Sequence, residues 1–265
     1  MYFYLYDAFL KGNKYNKLLA DIEARLIDLS IQGRTSKLNI LNDMREVIVD
    51  AVKRGAETVV VLGDDKTVGR AINAIANLNV TLGVIPVGQG SHMIAHYLGI
   101  PHGVEACDVL SKRIKENIDA AYVNGNYFTF YLKALSPAVK IVDSSRAYTI
   151  TPLSPHAEIF VCNFKPKELQ IEAFPASFFV PHDGRLELVV SAISNNSFIS
   201  KLFSKSAKRV GEYTILPFEK IRLEPINPDV EVKLMLDGEK IIKAPVEIEV
   251  APRKIMVIVG KERKF

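Results

Sequence analysis

Tryptophan is absent from this 265-residue sequence, and cysteine occurs only at Cys107 and Cys162. Two cysteines cannot form a disulfide framework, so both read as small buried hydrophobes in a reducing, cytoplasmic setting. No apolar run reaches the ~18 residues that a membrane-spanning helix needs. The opening MYFYLYDAFLKGNKYNKLL has neither a basic leading region nor a small-residue cleavage site, so it does not read as a secretory signal. Neither sign of charge dominates: 34 Lys and Arg face 30 Asp and Glu, a net charge of +4. No dense basic block is interleaved with aromatics, which argues against a nucleic-acid partner. Internal repeats, low-complexity segments and an obvious linker are also missing.

What is present is an ordinary soluble composition, 48% hydrophobic and 24% charged, on a chain long enough for one large domain or two small ones. YFYLY at 2–6 reads as a central strand. Leu18, Leu19, Ile22, Leu26 and Ile27 recur at helical spacing, and Val47, Ile48 and Val52 mark a second helix over 43–54. Strand 58–62, the turn GDDKT, helix 68–77, strand 80–87, the turn GQG and helix 91–98 follow. This alternation predicts a doubly wound parallel sheet, covered on both faces, to about residue 120. From there the pattern changes. IDAAYV and NYFTFYL flank Asn124-Gly125 as a hairpin, and further short strands follow, punctuated by Pro, Asn-Pro and Asp-Gly. Residues 121–265 thus read as an antiparallel β-sandwich domain, interrupted by a helical pattern over 197–209.

In a doubly wound sheet, ligands sit where the carboxyl ends of strands lead into helices. GDDKT and GQGS both occupy such positions, one strand apart. Gly63 suits a tight turn, Thr67 offers a hydroxyl, and Lys66 offers a point charge to a phosphate. Gly88 and Gly90 let backbone approach a ligand, and Ser91 is placed to cap the next helix. Asp64 and Asp65 would repel a polyphosphate unless turned away or engaged by a metal or a hydroxyl. The other reading of the same residues is a solvated turn whose Asp caps the following helix.

These residues resemble the diacylglycerol kinase catalytic family, bacterial lipid kinases that share a fold with NAD kinases. The family's G-G-D-G-T corresponds to Gly63-Asp64-Asp65-Lys66-Thr67. Its I-P-x-G-T-x-N-D-x-A, followed by L-G-I-P, corresponds to Ile85 through Ala95 and then Leu98-Gly99-Ile100-Pro101. A D-G-x-L segment and a late D-G-E turn correspond to Asp183-Gly184-Arg185-Leu186 and Asp237-Gly238-Glu239. Departures fall on the loops. Asp64 and Lys66 replace glycines, Gln89 replaces a threonine, Ser91-His92 replace Asn-Asp, and Tyr6-Asp7-Ala8-Phe9 stand where an Asn-Pro-x-x-G loop is expected.

The resemblance implies a kinase using ATP and Mg2+ on a hydroxyl of a diacylglycerol-like lipid. Gly63, Asp65, Lys66, Thr67, Gly88, Gly90 and Ser91 would hold the nucleotide, and Glu239 would be the general base. Asp183 would be the acid associated with a structural magnesium ion, flanking carbonyls completing its oxygen ligands. Two alternatives stand beside it, a non-catalytic or ligand-binding relative and an NAD kinase-like enzyme. Asp183 and Asp237 also fit plain hairpin turns, each followed by a glycine with φ > 0. His92 and His96, four apart, are a metal pair without an evident third ligand. Lys201, Lys205, Lys208 and Arg209, with Phe198, Leu202 and Phe203, form a segment suited either to peripheral contact with an anionic membrane or to a solvated helix. Exposed sandwich edges suggest a homodimer.

Overall fold

The computed structural model describes residues 1–39, 43–143, 148–152, 154, 156–165, 178–192, 212–238 and 240–265. The first part of the chain runs β1 (Tyr2–Tyr6), α1 (Asn16–Asp28), β2 (Arg34–Lys37), α2 (Met44–Lys53), β3 (Thr58–Gly63), α3 (Asp65–Ile75), β4 (Thr81–Pro86), α4 (Met93–Tyr97), α5 (Ala106–Lys112) and β5 (Lys115–Ile118). Short strands then follow: β6 (Ala121–Val123), β7 (Asn126–Phe128), β8 (Tyr131–Ala134), β9 (Val139–Asp143), β10 (Tyr148–Ile150), β11 (Glu158–Cys162) and β12 (Leu186–Ala192). The remainder are β13 (Glu212–Phe218), β14 (Lys220–Pro225), β15 (Lys233–Leu236), β16 (Lys240–Lys243), β17 (Val246–Val250) and β18 (Ile255–Ile258).

The first sheet has the order β2-β1-β3-β4-β18-β5. Its strands from β2 to β18 are parallel neighbours, and β5 closes the edge antiparallel to β18. β3 is apolar after Thr58 and fully buried, as a strand covered on both faces must be. α3 buries Val68, Ala71, Ile72 and Ile75, the i, i+3, i+4, i+7 set of one helical face. α2 packs on α3, and α1 on α5. The expected helix over 68–77 begins earlier, because Asp64 caps it at the end of β3.

The remaining strands form two six-stranded antiparallel sheets, β10-β9-β14-β17-β6-β7 and β13-β12-β11-β8-β15-β16. Val123, Phe128, Leu132, Ile141, Val161, Leu188, Leu223 and Ile248 share one apolar core between them, the interior of a sandwich. Asn124 and Gly125 both have positive φ in the β6–β7 turn, the geometry an Asn-Gly hairpin requires.

The chain crosses between these layers twice. It leaves the first sheet after β5 and returns through residues 251–254 to insert β18 between β4 and β5. A cut at residue 120 therefore separates β18 from the sheet it completes. Among the described residues no helix is long and apolar enough to cross a membrane. The helical pattern over 197–209, with its basic residues, lies outside the described residues.

Candidate functional site

Gly63 ends β3, and the chain turns there into α3. A Cβ on Gly63 would lie 2.3 Å from Thr67 Oγ1, so the first turn of α3 folds directly over this residue and only glycine fits. Asp64 is the N-cap: its Oδ1 accepts the Thr67 N–H at 3.1 Å. A Cβ on Gly90 would meet Asp64 Oδ2 at 2.4 Å, so this carboxylate occupies the space above the second loop.

Asp65 ties the two loops together. Its N–H donates to the Ser91 carbonyl at 2.8 Å, while its carboxylate accepts the N–H groups of Met93 at 2.7 Å and Ile94 at 3.0 Å. The start of α4 is thus capped by a residue 28 positions earlier in the sequence. Ser91, expected to cap α4, does not. The N-cap is His92, whose side chain makes no capping bond, and Ser91 contributes its carbonyl instead. Gly88 holds φ +112, and the Phe9 ring lies where a side chain would project from it.

Below these loops lies a polar knot. The Thr67 hydroxyl, fully buried, sits 2.6 Å from Asp7 Oδ2 and 3.1 Å from Asp64 Oδ1, and its single proton goes to the nearer Asp7. Asp7, itself buried at the end of β1, also accepts the Phe9 N–H at 3.2 Å and pairs with the Arg70 guanidinium. Gly63, Asp65, Thr67, Gly88, Gly90 and Ser91 therefore do converge, as the motifs suggested. Yet N–H groups that could meet an anion are answered by the chain itself: Thr67 by Asp64, Asp65 by Ser91, Met93 and Ile94 by Asp65. The 68–77 spacing that placed α3 gave no sign of Asp7 or Arg70, because their partners are 60 and 63 residues away.

Beside the loops a cleft of about 1000 Å3 opens between the first sheet's helices and the sandwich. One wall is Ala8, Leu38, Asn39 and the starts of α2 and α3, all at the carboxyl ends of β1 to β3; the other is β7 and the β15–β16 turn. Its rim carries Arg45, Lys66, Arg70 and Lys240 together with Asp43, Asp65 and Asp237. Lys66 is exposed there. α3 forms much of the junction: Asn73 Nδ2 donates to the Tyr127 carbonyl at 3.1 Å, and the Tyr127 hydroxyl to Asn77 Oδ1 at 3.1 Å.

Asp237 opens the turn after β15 with φ +45, and Gly238 follows at +72. Its carboxylate accepts the N–H groups of Phe130 at 3.1 Å and Tyr131 at 2.9 Å, with Thr129 at 3.4 Å, pinning the β7–β8 connection. Desolvation pushes this carboxyl up to about 6, with the nearby Asp65 acting in the same direction and the three N–H donors opposing. Asp237 Oδ2 lies 3.6 Å from where a Cβ on Gly69 would sit, so the turn abuts α3. Glu239, the expected base on the same turn, lies outside the described residues.

Asp183 belongs to a different cluster, with Asp119, Glu187 and Lys254. Its carboxylate is exposed and accepts the Arg185 N–H at 2.9 Å. Lys254 Nζ donates to the His182 carbonyl at 2.5 Å and pairs with Asp119 Oδ1 at 3.1 Å. A magnesium ion wants about six free oxygens. Here the Gly184 N–H meets Asp119 Oδ2 and the Lys254 ammonium already stands 3.1 Å from Oδ1 as an ion pair, while Asp119 Oδ1, Asn163 Oδ1 and Glu187 Oε2 have no hydrogen-bond partner; among the described residues no group of three His, Cys, Asp or Glu is arranged around a metal. The residues do not fit the structural magnesium that the resemblance implied. His92 stacks edge-on to His102 with 5.1 Å between ring centres, and among the described residues neither His92 nor His96 belongs to a group of three side chains that could hold a metal.

Comparison with known proteins converges on one family. Residues 5–123 match the model of the diacylglycerol kinase catalytic domain. Diacylglycerol kinase of Bacillus subtilis (strain 168) is 30% identical over 118 residues, 43% of this chain and 39% of that protein. Diacylglycerol kinase of Mycobacterium tuberculosis (strain ATCC 25618 / H37Rv) is 32% identical over 80 residues, 29% of this chain and 26% of that protein. The matched segments thus span well under half of these curated relatives. A solved diacylglycerol kinase structure from Bacillus anthracis str. Sterne superimposes with a TM-score of 0.77 over 99% of this chain and 97% of that one, at 17% identity, which establishes the shared fold.

Proposed function

We propose that the chain belongs to the diacylglycerol kinase catalytic family, whose model residues 5–123 match, and that it is an ATP-dependent kinase that phosphorylates a hydroxyl of a diacylglycerol-like lipid. One observation supports this reading above the others. The cleft lies at the carboxyl ends of three parallel strands, and the Asp237-Gly238 turn of the sandwich faces α3 across it. Phosphoryl transfer needs a phosphate held in line with an attacking hydroxyl and little covalent chemistry from the protein. In this chain the phosphates of ATP are held by side-chain cations, Lys66, Arg70 and Arg45, because Asp64 and Asp65 have taken the loop amides. Mg2+ bound with the nucleotide supplies charge neutralisation of the transferring group. Glu239, two residues beyond Asp237, is the base that takes the acceptor's proton, and a lipid acceptor implies contact with a membrane surface.

The test is a transfer assay with diacylglycerol in mixed micelles, alongside thermal shift with ATP and magnesium. Turnover, with Glu239→Gln losing it while keeping the nucleotide-induced shift, is the expected result. Absence of a shift with ATP or ADP at millimolar concentration moves the assignment to a second reading, a relative that binds another anionic ligand without transferring phosphate. The occupation of the space over Gly90 by the Asp64 carboxylate favours that second reading.

A further inference from the structure

Asp119 sits where the chain leaves the first sheet, between the end of β5 and the start of β6, and Lys254 sits where it returns, immediately before β18. The two crossings touch, the Ala251 N–H donating to the Ala120 carbonyl at 2.7 Å. Against them lies the loop of residues 181–184. The Asp119 N–H donates to the Pro181 carbonyl at 2.6 Å, and Asp119 Oδ2 accepts the Gly184 N–H at 2.8 Å. The Asn163 amide donates to the Asp119 carbonyl at 2.6 Å, fixing the outgoing crossing from behind. Asp119 is 1% exposed, so its charge must be answered locally. The only cation that reaches it among the described residues is Lys254, whose ammonium lies 3.1 Å from Oδ1 and also donates to the His182 carbonyl at 2.5 Å.

We propose that Lys254 is a built-in cation that clasps both interdomain crossings to the Asp183-Gly184 loop, doing there what the resemblance assigns to a structural magnesium ion, so that the junction of this chain needs no divalent metal. An ammonium suits the place. It meets one carboxylate oxygen and one carbonyl, whereas a divalent ion would need a fuller oxygen shell and would repel the lysine. Lys254 is a positioning residue. It fixes the angle at which the sandwich, and with it the Asp237 turn, meets α3.

The experiment is thermal unfolding of the full chain without nucleotide, in chelator and in millimolar magnesium. Wild type is expected to melt at the same temperature in both. Lys254→Met is expected to melt several degrees lower in chelator and to recover with magnesium, and Lys254→Arg to stay near wild type. A magnesium-dependent rise of several degrees in the wild type overturns the proposal, and that measurement holds even if Lys254→Met fails to fold. A Lys254→Met variant that melts with wild type in chelator, or that magnesium leaves unmoved, overturns it as well.

Discussion

Two acidic clusters in this molecule are resolved in opposite ways. At the strand ends, Asp7 and Asp65 are each met by several donors and Asp64 by the Thr67 N–H: backbone N–H groups, a hydroxyl and a guanidinium. At the junction, Asp119 accepts one N–H and pairs with one ammonium, Asp183 accepts one N–H, and Asp119 Oδ1 and Glu187 Oε2 are left without a hydrogen-bond partner. Helix starts are rich in unpaired N–H groups, so acids placed there find backbone donors. A strand interior such as β12 has spent its backbone donors on neighbouring strands, so an acid there is kept neutral. The difference teaches where this chain can still accept a negative ligand. Several N–H groups of the strand-end loops are already answered, whereas the cleft carries exposed cations.

The largest effect expected from this contrast is the pH dependence that Glu187 imposes. Its carboxyl moves from 4.5 to about 8 on folding. Below 4.5 both states hold the proton and nothing is lost. As pH rises through the window the unfolded chain ionises while the folded chain does not, so stability falls, by roughly 1.4 kcal/mol per pH unit at most, and levels off above 8. Denaturant titrations from pH 5 to 8 should show this slope in wild type and a flatter one in Glu187→Gln. An equal slope in both would remove the contrast.

Thr67→Val probes the other cluster. The buried hydroxyl is replaced by a methyl of similar size, and Asp7 loses a donor, at a cost of about 1–3 kcal/mol in unfolding free energy. Asp64→Gly sharpens the comparison further. A glycine cap costs only a few tenths of a kcal/mol, while removing a carboxylate beside bound phosphate is worth at least about 1.4 kcal/mol, or tenfold. ADP affinity by calorimetry should therefore rise about tenfold with little change in melting temperature. Unchanged affinity would mean that the nucleotide never approaches this loop. The smallest expected effect is that of Lys66→Ala, an exposed rim cation. Nucleotide affinity should fall a few-fold at low ionic strength, and the difference should vanish in about 1 M salt, where screening reaches ~3 Å.

Much of the fold was legible in local pattern. The unbroken apolar run of β3 marked a strand covered on both faces, and Asn124-Gly125 marked a hairpin whose two positive φ angles are present. Convergence of residues 63–67 with 88–91 followed from their places at the ends of adjacent parallel strands. What stayed hidden was long-range partnership. Nothing in GDDKT says that Asp65 caps a helix beginning at Met93, or that Thr67 and Arg70 both turn to Asp7. Nor does KIMVIV, clearly a strand, reveal which sheet it joins. Side chains that pair across 60 or more residues leave no periodic trace, and the same holds for Lys254 and Asp119.

The placement of β18 has a consequence for how the molecule is made. Its strand is the wedge between β4 and β5, hydrogen-bonded to both, and it comes from residues 255–258. On the ribosome, the first 120 residues must wait with an open slot in their sheet until residues 255–258 have been translated. Through the translation of the sandwich, a nascent chain therefore carries an apolar groove that only β18, or a chaperone, can cover.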